Sequence, residues 1–550
     1  MRNTDVLIVG GGPFGLMLAI ELGRRNIKTL VIDKKATTAF NPQANATQAR
    51  TMEYFRRLGF VDEIRSLGLP PDYPTDIAYY TRFSSYELGR YELPSSSDAA
   101  KKILSKSGSW TAAEAPHRVS QKYVERVLLK QAKKCNSVDI EFSNELLGFQ
   151  QSEDCVMATY KDLNSSETLQ IQAQYLIGAD GAQSLVRRLS GKKLVGEFGT
   201  KRHFMGGRMY AVYLRCETFY EATEAKPAWM HWSFNPERRA FMAAVDGKGE
   251  FAFHTQLSDD EKEDEISDDK AKRLFWEAAG IEIDCEILSH MPWTAGHAAV
   301  SNSLIENRAI LGGDAAHLFT PTGGLGYNTA VEDAVNLGWK IAHVINGQAN
   351  KNILKSYDYE RRLTALRNTG FASEFADSVG NFIPDNEIEA ENEVGVHLRQ
   401  RAGQYLVDHA KREFNIPGIT FGARYDGSPI LPKNTNSKSV DSANVYQQSP
   451  VPGGRAPHFW LGRNKSIYDE FGFEWTLMIF GSNSASEMNI IDDAQKLGLE
   501  LKILNIENSE IADFYSANLV IIRPDQIVAW RGQSADEFDW ALLLGNLKST

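Results

Sequence analysis

The sequence predicts an α/β fold: a Rossmann-like dinucleotide-binding domain, an antiparallel β-sheet inserted into it, and a small α/β unit toward the C-terminal end. Three observations predict it. Residues 6–9 are an apolar run ending in Gly10-x-Gly12-x-x-Gly15, then come apolar residues at helical spacing and a second run over 29–32 that stops at Asp33. Residues 204–257 alternate apolar and polar in strand-length stretches rich in aromatics. After 309–311 the α/β character returns.

Each element follows in order. Leu16, Ala19, Ile20 and Leu22 mark the first helix, so the opening is strand, glycine turn, helix, strand. The apolar start after Met1-Arg2-Asn3 superficially resembles a signal peptide, but its glycines and the lack of a small-residue cleavage site favour the strand–turn–helix. Residues 75–110, rich in Tyr and Ser, suggest an inserted β region; 119–132 read as a helix and 175–179 as a strand. Strands are expected at 208–215, 229–234 and 240–245, and a solvated acidic loop at 258–270. Ala330, Val331, Ala334, Leu337, Ile341 and Ala342 make the apolar stripe of a later helix. A polar linker is expected at 432–450, and strands at 475–480 and 519–522.

With 550 residues the chain exceeds one hydrophobic core, so two or three domains are expected. A net charge of −11 and a pI of about 5.6 argue against general nucleic-acid binding, which needs a basic surface. No run of roughly 18 apolar residues predicts a membrane span. Cys135, Cys155, Cys216 and Cys285 are far apart, which reads as incidental thiols in a reducing, cytoplasmic setting and gives no metal site.

Three motifs carry chemistry. In Gly10-x-Gly12-x-x-Gly15 the glycines permit the tight turn, the approach of backbone to a pyrophosphate, and close strand–helix packing, while the helix N-terminus offers free amides. Asp33, at the end of the second strand, can accept bonds from ribose hydroxyls. The second motif is Asp180-Gly181, within Leu176-Ile177-Gly178-Ala179-Asp180-Gly181. The third is Gly312-Gly313-Asp314-Ala315-Ala316-His317, followed by Pro321, Gly323, Gly324, Gly326 and Asn328. There Asp314 can bind ribityl hydroxyls, and the positive end of the following helix can stabilise a reduced flavin ring.

This ordered triplet resembles the class A, single-component FAD-dependent aromatic hydroxylases. The resemblance covers residues 1 to about 370 and extends to Ala49-Arg50-Thr51-Met52-Glu53, Ser120-Gln121, Trp293, Tyr357 and Glu360-Arg361-Arg362. The chain looks like the phenol-hydroxylase branch, whose C-terminal domain is thioredoxin-like, through Gly454-Arg455-Ala456-Pro457-His458 and Arg523-Pro524-Asp525. The resemblance implies a discontinuous FAD-binding domain of the GR2 type (1–75, 112–190, 290–375), a β-sheet substrate domain (76–111, 191–289), a helical or linker region (376–460) and a thioredoxin-like domain (461–550). That last domain is expected to be structural, because no cysteine lies beyond Cys285.

It also implies roles. Asp33 would hold the adenosine ribose, Arg50 and Gln121 the phosphate and ribityl region, and Asp314 the ribityl chain. The Gly323–Gly324–Gly326–Asn328 turn would cradle the isoalloxazine, and Asp180-Gly181 would serve both FAD and the co-substrate, NADPH or NADH. The implied reaction reduces FAD with NAD(P)H, forms a flavin C4a-hydroperoxide with O₂, and hydroxylates an electron-rich, phenolic ring. Relatives often carry an Asp or His five residues before the arginine that matches Arg50; here Asn45 stands there, which can hydrogen-bond a phenolate but not deprotonate a phenol.

Asn45, Arg208 and His231 are the candidate catalytic side chains; Tyr210, Trp229, Trp293 and Pro321 are candidate substrate contacts. Alternation puts Arg208 with Tyr210 on one face, and Trp229 with His231 on one face of their strand. Each aromatic also reads as ordinary core, and Arg208 as a surface ion pair. A halogenase-like enzyme would need a WxWxIP signature, which is not found; an oxidase or a ligand-sequestering flavin protein is the remaining alternative. The expected partners are a small aromatic substrate and O₂, with monomer versus homodimer left open.

Overall fold

The computed structural model describes residues 2–105, 108–433, 441–481 and 485–546. Its central layer is an 8-stranded sheet whose spine runs Val138–Phe142, Thr29–Asp33, Arg2–Val9, Thr168–Gly178 and Ala309–Leu311, every neighbouring pair parallel. Parallel neighbours need crossovers, and the helices Pro13–Gly23 and Gln121–Ala132 provide two of them. The strand Arg2–Val9 is apolar from Val6 onward because it is covered on both faces. Gly10 has φ +115°, and a Cβ on Gly15 would run into the Gly10 carbonyl oxygen, so both glycines are required by the turn itself.

The helix Leu325–Ile345 was expected to show one apolar stripe, but it is buried nearly all round. The helix Pro13–Gly23 packs on it, and Trp339 meets Trp475 at 5.4 Å on the C-terminal domain.

The second layer is a 7-stranded sheet in the order Glu286–Ala295, Gly207–Arg215, Glu250–Gln256, Arg239–Ala244, Met230–Phe234, Ile77–Tyr80, Glu87–Tyr91. It is antiparallel except for one parallel pair, Met230–Phe234 with Ile77–Tyr80. The boundary expected at 289/290 falls inside a strand that continues this sheet to Ala295, and that expected at 375 falls inside the helix Leu354–Gly380. The helix Glu393–Phe414, in the expected linker region, lies against Glu87–Tyr91, where Gly403 lets it approach the Leu88 carbonyl. The acidic stretch 258–270 is anchored: Glu261 is buried against Arg238 at 2.8 Å, and Ile266 is buried in the core of the sheet domain.

The C-terminal domain carries a 4-stranded sheet ordered Leu501–Ile506, Trp475–Phe480, Leu519–Ile522, Val528–Gly532. One parallel pair is followed by two antiparallel ones, with helices in between, which is the thioredoxin-like arrangement. Part of the expected polar linker, 434–440, lies outside the described residues. Among the described residues no helix is long and apolar enough to cross a membrane, and no cluster of His, Cys, Asp or Glu could hold a metal.

Candidate active site

A cavity of about 820 Å³ lies between the two large sheets, and all three glycine-containing turns open onto it. At one end the helix Pro13–Gly23 begins at Gly12, an extended residue with no side-chain cap. A Cβ on Gly12 would meet nothing within 4 Å, so the backbone there is open to a ligand and the first helical amides are free. Asp33 lines the same end; its carboxylate accepts the Gly11 amide at 2.7 Å and the Lys35 amide at 2.8 Å and keeps lone pairs for further donors. Gln121 also lines the cavity and donates to Glu125 at 2.7 Å.

Asp180 lines the wall, but its oxygens accept Ser184 Oγ at 2.5 Å, the Leu185 amide at 2.7 Å and the Val186 amide at 3.1 Å. It therefore holds a turn in which Gly181 takes φ +77°. Asp314 differs. It follows Gly313, whose φ is +57°, and its carboxylate faces the cavity without a hydrogen bond from any described residue. Burial of the surroundings lifts its carboxyl above the ordinary range, with His317 pulling the other way. A carboxylate in this position fits a ligand that brings hydroxyl donors.

Pro321, Gly323, Gly324 and Gly326 form the adjoining wall, and Gly324 at φ +63° starts the helix Leu325–Ile345. The positive end of that long helix points at the cavity. The loop opposite is tied to this turn by Gln48, whose Nε2 donates to the Gly323 carbonyl at 3.0 Å. Asn45 lines the cavity on this loop, and its buried Oδ1 has no partner. The free helix amides, the hydroxyl-seeking carboxylates and the glycine wall together fit FAD.

Trp229 and Trp293 line the far half of the cavity, as do Trp232, Phe241 and His254. Four expected residues lie elsewhere. Arg208 points away from the cavity to Glu263 at 3.0 Å and to backbone at 258 and 261, an ion pair whose partners are each 40% exposed. Tyr210 shares that face and bonds His290 at 2.7 Å. His231 is fully buried among Phe83, Phe219 and Tyr220 on the opposite side of its strand from Trp232. Trp229 precedes the strand, so it does not share a face with His231. Arg50 turns away from the cavity: it donates to Gln526 at 2.8 Å and to the Asp525 carbonyl at 2.9 Å, joining the C-terminal domain to the first.

Asn328 is a brace rather than part of the cradle. Its Oδ1 accepts the Gln48 amide at 2.9 Å and the Thr51 hydroxyl at 2.7 Å, and its Nδ2 donates to the Ala46 and Gly324 carbonyls.

Sequence reasoning missed Arg118, His254 and Glu413, which line the cavity. His254 stacks on Phe241 with ring centroids 4.6 Å apart, and burial pulls its imidazole down to about 4. Glu413 accepts the Gly323 amide at 2.9 Å and lies 2.7 Å from His409. His254 lies opposite Phe241 on the next strand, a register that alternation along either strand does not give, and nothing local marks the other two.

Comparison with known proteins agrees with this geometry. Residues 3–372 match the FAD binding domain family, and residues 449–545 match the aromatic-ring hydroxylase C-terminal family. Phenol 2-monooxygenase of Pseudomonas sp. (strain EST1001) is 27% identical over 97% of this chain and 90% of its own length. The 2,4-dichlorophenol 6-monooxygenase of Delftia acidovorans is 27% identical over 98% of this chain and 97% of its own. The structure of the rebeccamycin biosynthetic enzyme RebC with reduced flavin superposes with a TM-score of 0.86, at 28% identity, covering 99% of this chain and 98% of that one. With residues 3–372 and 449–545 both matched and its relatives aligned over nearly the whole chain, the chain belongs to the FAD-dependent aromatic-ring hydroxylases.

Proposed function

We propose that this hydroxylase acts on a phenolic ring held in the aromatic half of the cavity, using NAD(P)H and O₂. The observation that carries the reading is the continuity of one cavity, with Gly12, Asp33 and Asp314 along its polar part and Trp229, Trp232 and Trp293 around its apolar part. FAD, when bound, supplies the electron transfer from NAD(P)H and the activation of O₂.

The residues of this chain bind, orient and keep the site dry. Asp33 and the amides after Gly12 hold the adenosine and pyrophosphate end, and Asp314 accepts ribityl hydroxyls. The start of the helix Leu325–Ile345 offers positive potential where the ring system gains charge. Asn45 hydrogen-bonds the phenolic oxygen, its Oδ1 accepting from the neutral phenol or its Nδ2 donating to the phenolate, and fixes the ring's orientation; an amide takes no proton, so ionisation is left to the acidity of the substrate. The indole and phenyl walls exclude water from the reacting ring. The two curated relatives act, by name, on phenol and a dichlorophenol, which agrees with a phenolic substrate.

The test is a panel of phenols presented to purified, FAD-loaded protein. Accelerated NAD(P)H oxidation with a one-oxygen mass gain in the product is expected. Protein that takes up no FAD, or oxidises NAD(P)H at one rate whatever phenol is added, defeats the reading.

A further inference from the structure

Arg118 is a guanidinium without a counter-ion. Among the described residues it makes no ion pair and no side-chain hydrogen bond, and no charged neighbour offsets the burial that pulls it down to about 10. At neutral pH it is still a cation. Buried arginines are normally paired, because an unpaired charge away from bulk water is costly. What it does touch is an aromatic face: its guanidinium carbon lies 3.8 Å from the Trp229 ring centroid.

The position is also built. Gly68, at φ +84°, packs so tightly that a Cβ there would strike the Arg118 carbonyl oxygen and the Val119 Cα, and the Leu69 amide donates to that same carbonyl at 3.1 Å. A second chamber of about 230 Å³ adjoins the main cavity, and Trp110, Pro116, Arg118 and Phe414 line both. Arg118 is half-buried, and the surface it keeps faces these two spaces. Two carboxylates also line the small chamber. Glu114 is neutralised by Arg56 at 2.9 Å and Arg65 at 2.6 Å, and Glu92 is exposed. In the main cavity Glu413 is held by His409 and the Gly323 amide.

Resting on the hydroxylase reading above, we infer that Arg118 recognises a carboxylate on the aromatic substrate, seated where the small chamber opens into the cavity. The stack on Trp229 holds the guanidinium plane in place, so its N–H groups are ready to meet the carboxylate oxygens at little entropic cost. A phosphate of the dinucleotide co-substrate shares the same charge, but the small chamber is short of the room a dinucleotide needs, which favours the substrate.

Calorimetric titration of the FAD-loaded protein with 2-naphthoate and its neutral isostere 2-naphthamide tests this, with NADPH as a third ligand. The wild type is expected to prefer the acid by about tenfold or more, the scale of one charge-assisted hydrogen bond. Arg118→Met should remove that preference by weakening the acid alone, and Arg118→Lys should restore part of it. If Arg118→Met loses FAD or fails to fold, Arg118→Gln takes its place. A wild type with no preference for the acid, a preference that survives Arg118→Met, an equal loss for acid and amide, or a loss confined to NADPH each overturns the proposal. Calorimetry needs no turnover, so failure of the hydroxylase reading shows separately, as wild-type protein whose NAD(P)H oxidation responds to no phenol.

Discussion

His317 Nε2 stands 2.7 Å from Asp333 Oδ2, and both side chains are fully buried. The same carboxylate accepts Arg361 Nε at 2.7 Å and the Gly313 amide at 3.2 Å, so it is the post on which the turn carrying Asp314 is hung. Burial opposes ionisation of Asp333, but His317 and Arg361 outweigh it and hold its carboxyl below the ordinary range. Asp333→Asn leaves the buried Arg361 short of a counter-charge and should cost about 3–5 kcal/mol in urea unfolding. Because the folded pKa is depressed, the wild-type contribution is complete above the unfolded value of about 4 and is lost as pH falls through the folded one. The stability gap between wild type and Asp333→Asn should therefore narrow below about pH 4; a gap independent of pH would contradict the assignment.

Two glycines of one motif should respond in opposite ways. Gly10 at φ +115° is pressed against the Ala179 carbonyl, so Gly10→Ala strains the backbone and breaks the turn. Gly12 has an ordinary extended backbone and open space where a Cβ would go. Gly12→Ala should fold with wild-type circular dichroism yet bind FAD about tenfold or more weakly, because the methyl group occupies the ligand's approach. Circular dichroism and thermal melting separate the two, since only Gly10→Ala should lose structure, and equilibrium dialysis against FAD measures the binding loss of the folded Gly12→Ala.

Much of the polar end of the cavity was legible in the sequence because backbone geometry demands particular residues there: Gly10, Gly313 and Gly324 sit at positive φ, Asp33 ends a buried strand and Asp314 follows one. The substrate end was not. Alternation correctly paired Arg208 with Tyr210, but it carries no sign saying which face meets the cavity. Tyr210 and Tyr213 are both buried, one against His290 and one on the cavity wall, so no polar side marks the outside. Arg50 looked like a cofactor ligand because its true partners, Gln526 and Asp525, lie more than four hundred residues away. The parallel pairing of Met230–Phe234 with Ile77–Tyr80 is hidden for the same reason.

Arg208 and His231 should prove separable by what their loss damages. The Arg208–Glu263 pair is solvent-screened and worth at most about 1 kcal/mol, so Arg208→Ala should keep wild-type turnover and nearly all stability. His231→Ala opens a void among Phe83, Phe219 and Tyr220 and should cost about 2–4 kcal/mol while the folded fraction keeps its turnover per bound flavin. A selective fall in kcat for either variant would return that residue to the site.

Asn45→Ala removes a buried, unpartnered acceptor from a residue that lines the cavity. One neutral hydrogen bond is worth about 1 kcal/mol, so phenol should bind roughly fivefold more weakly, and more NAD(P)H should be oxidised per product formed as the ring loses its orientation. Asn45→Asp adds a base at the same place and should raise turnover most for the least acidic phenols. If affinity and coupling are unchanged in Asn45→Ala, the phenolic oxygen lies elsewhere.

The C-terminal domain is locked to the first by a buried pair, Arg523 with Glu360, joined through two bonds of 2.8 and 3.0 Å. Lys340 meets the same carboxylate at 2.7 Å, and Arg523 also meets Asp525, the residue whose carbonyl holds Arg50. Arg523→Met removes one cation from between two carboxylates, leaving Glu360 with Lys340 as its one cation beside the neutral donors Asn336 and Ser428, and Asp525 without its main partner. A loss of about 3–5 kcal/mol is expected, directed at the interface rather than at either core. Calorimetry should then show two transitions where the wild type shows one, with the C-terminal domain melting first and protease cutting between the domains. Arg523→Lys should behave almost as badly, because an ammonium cannot make the paired bonds a guanidinium makes. A single transition at the wild-type temperature would mean that the apolar contacts around Trp339 and Trp475 hold the domains together without the charges.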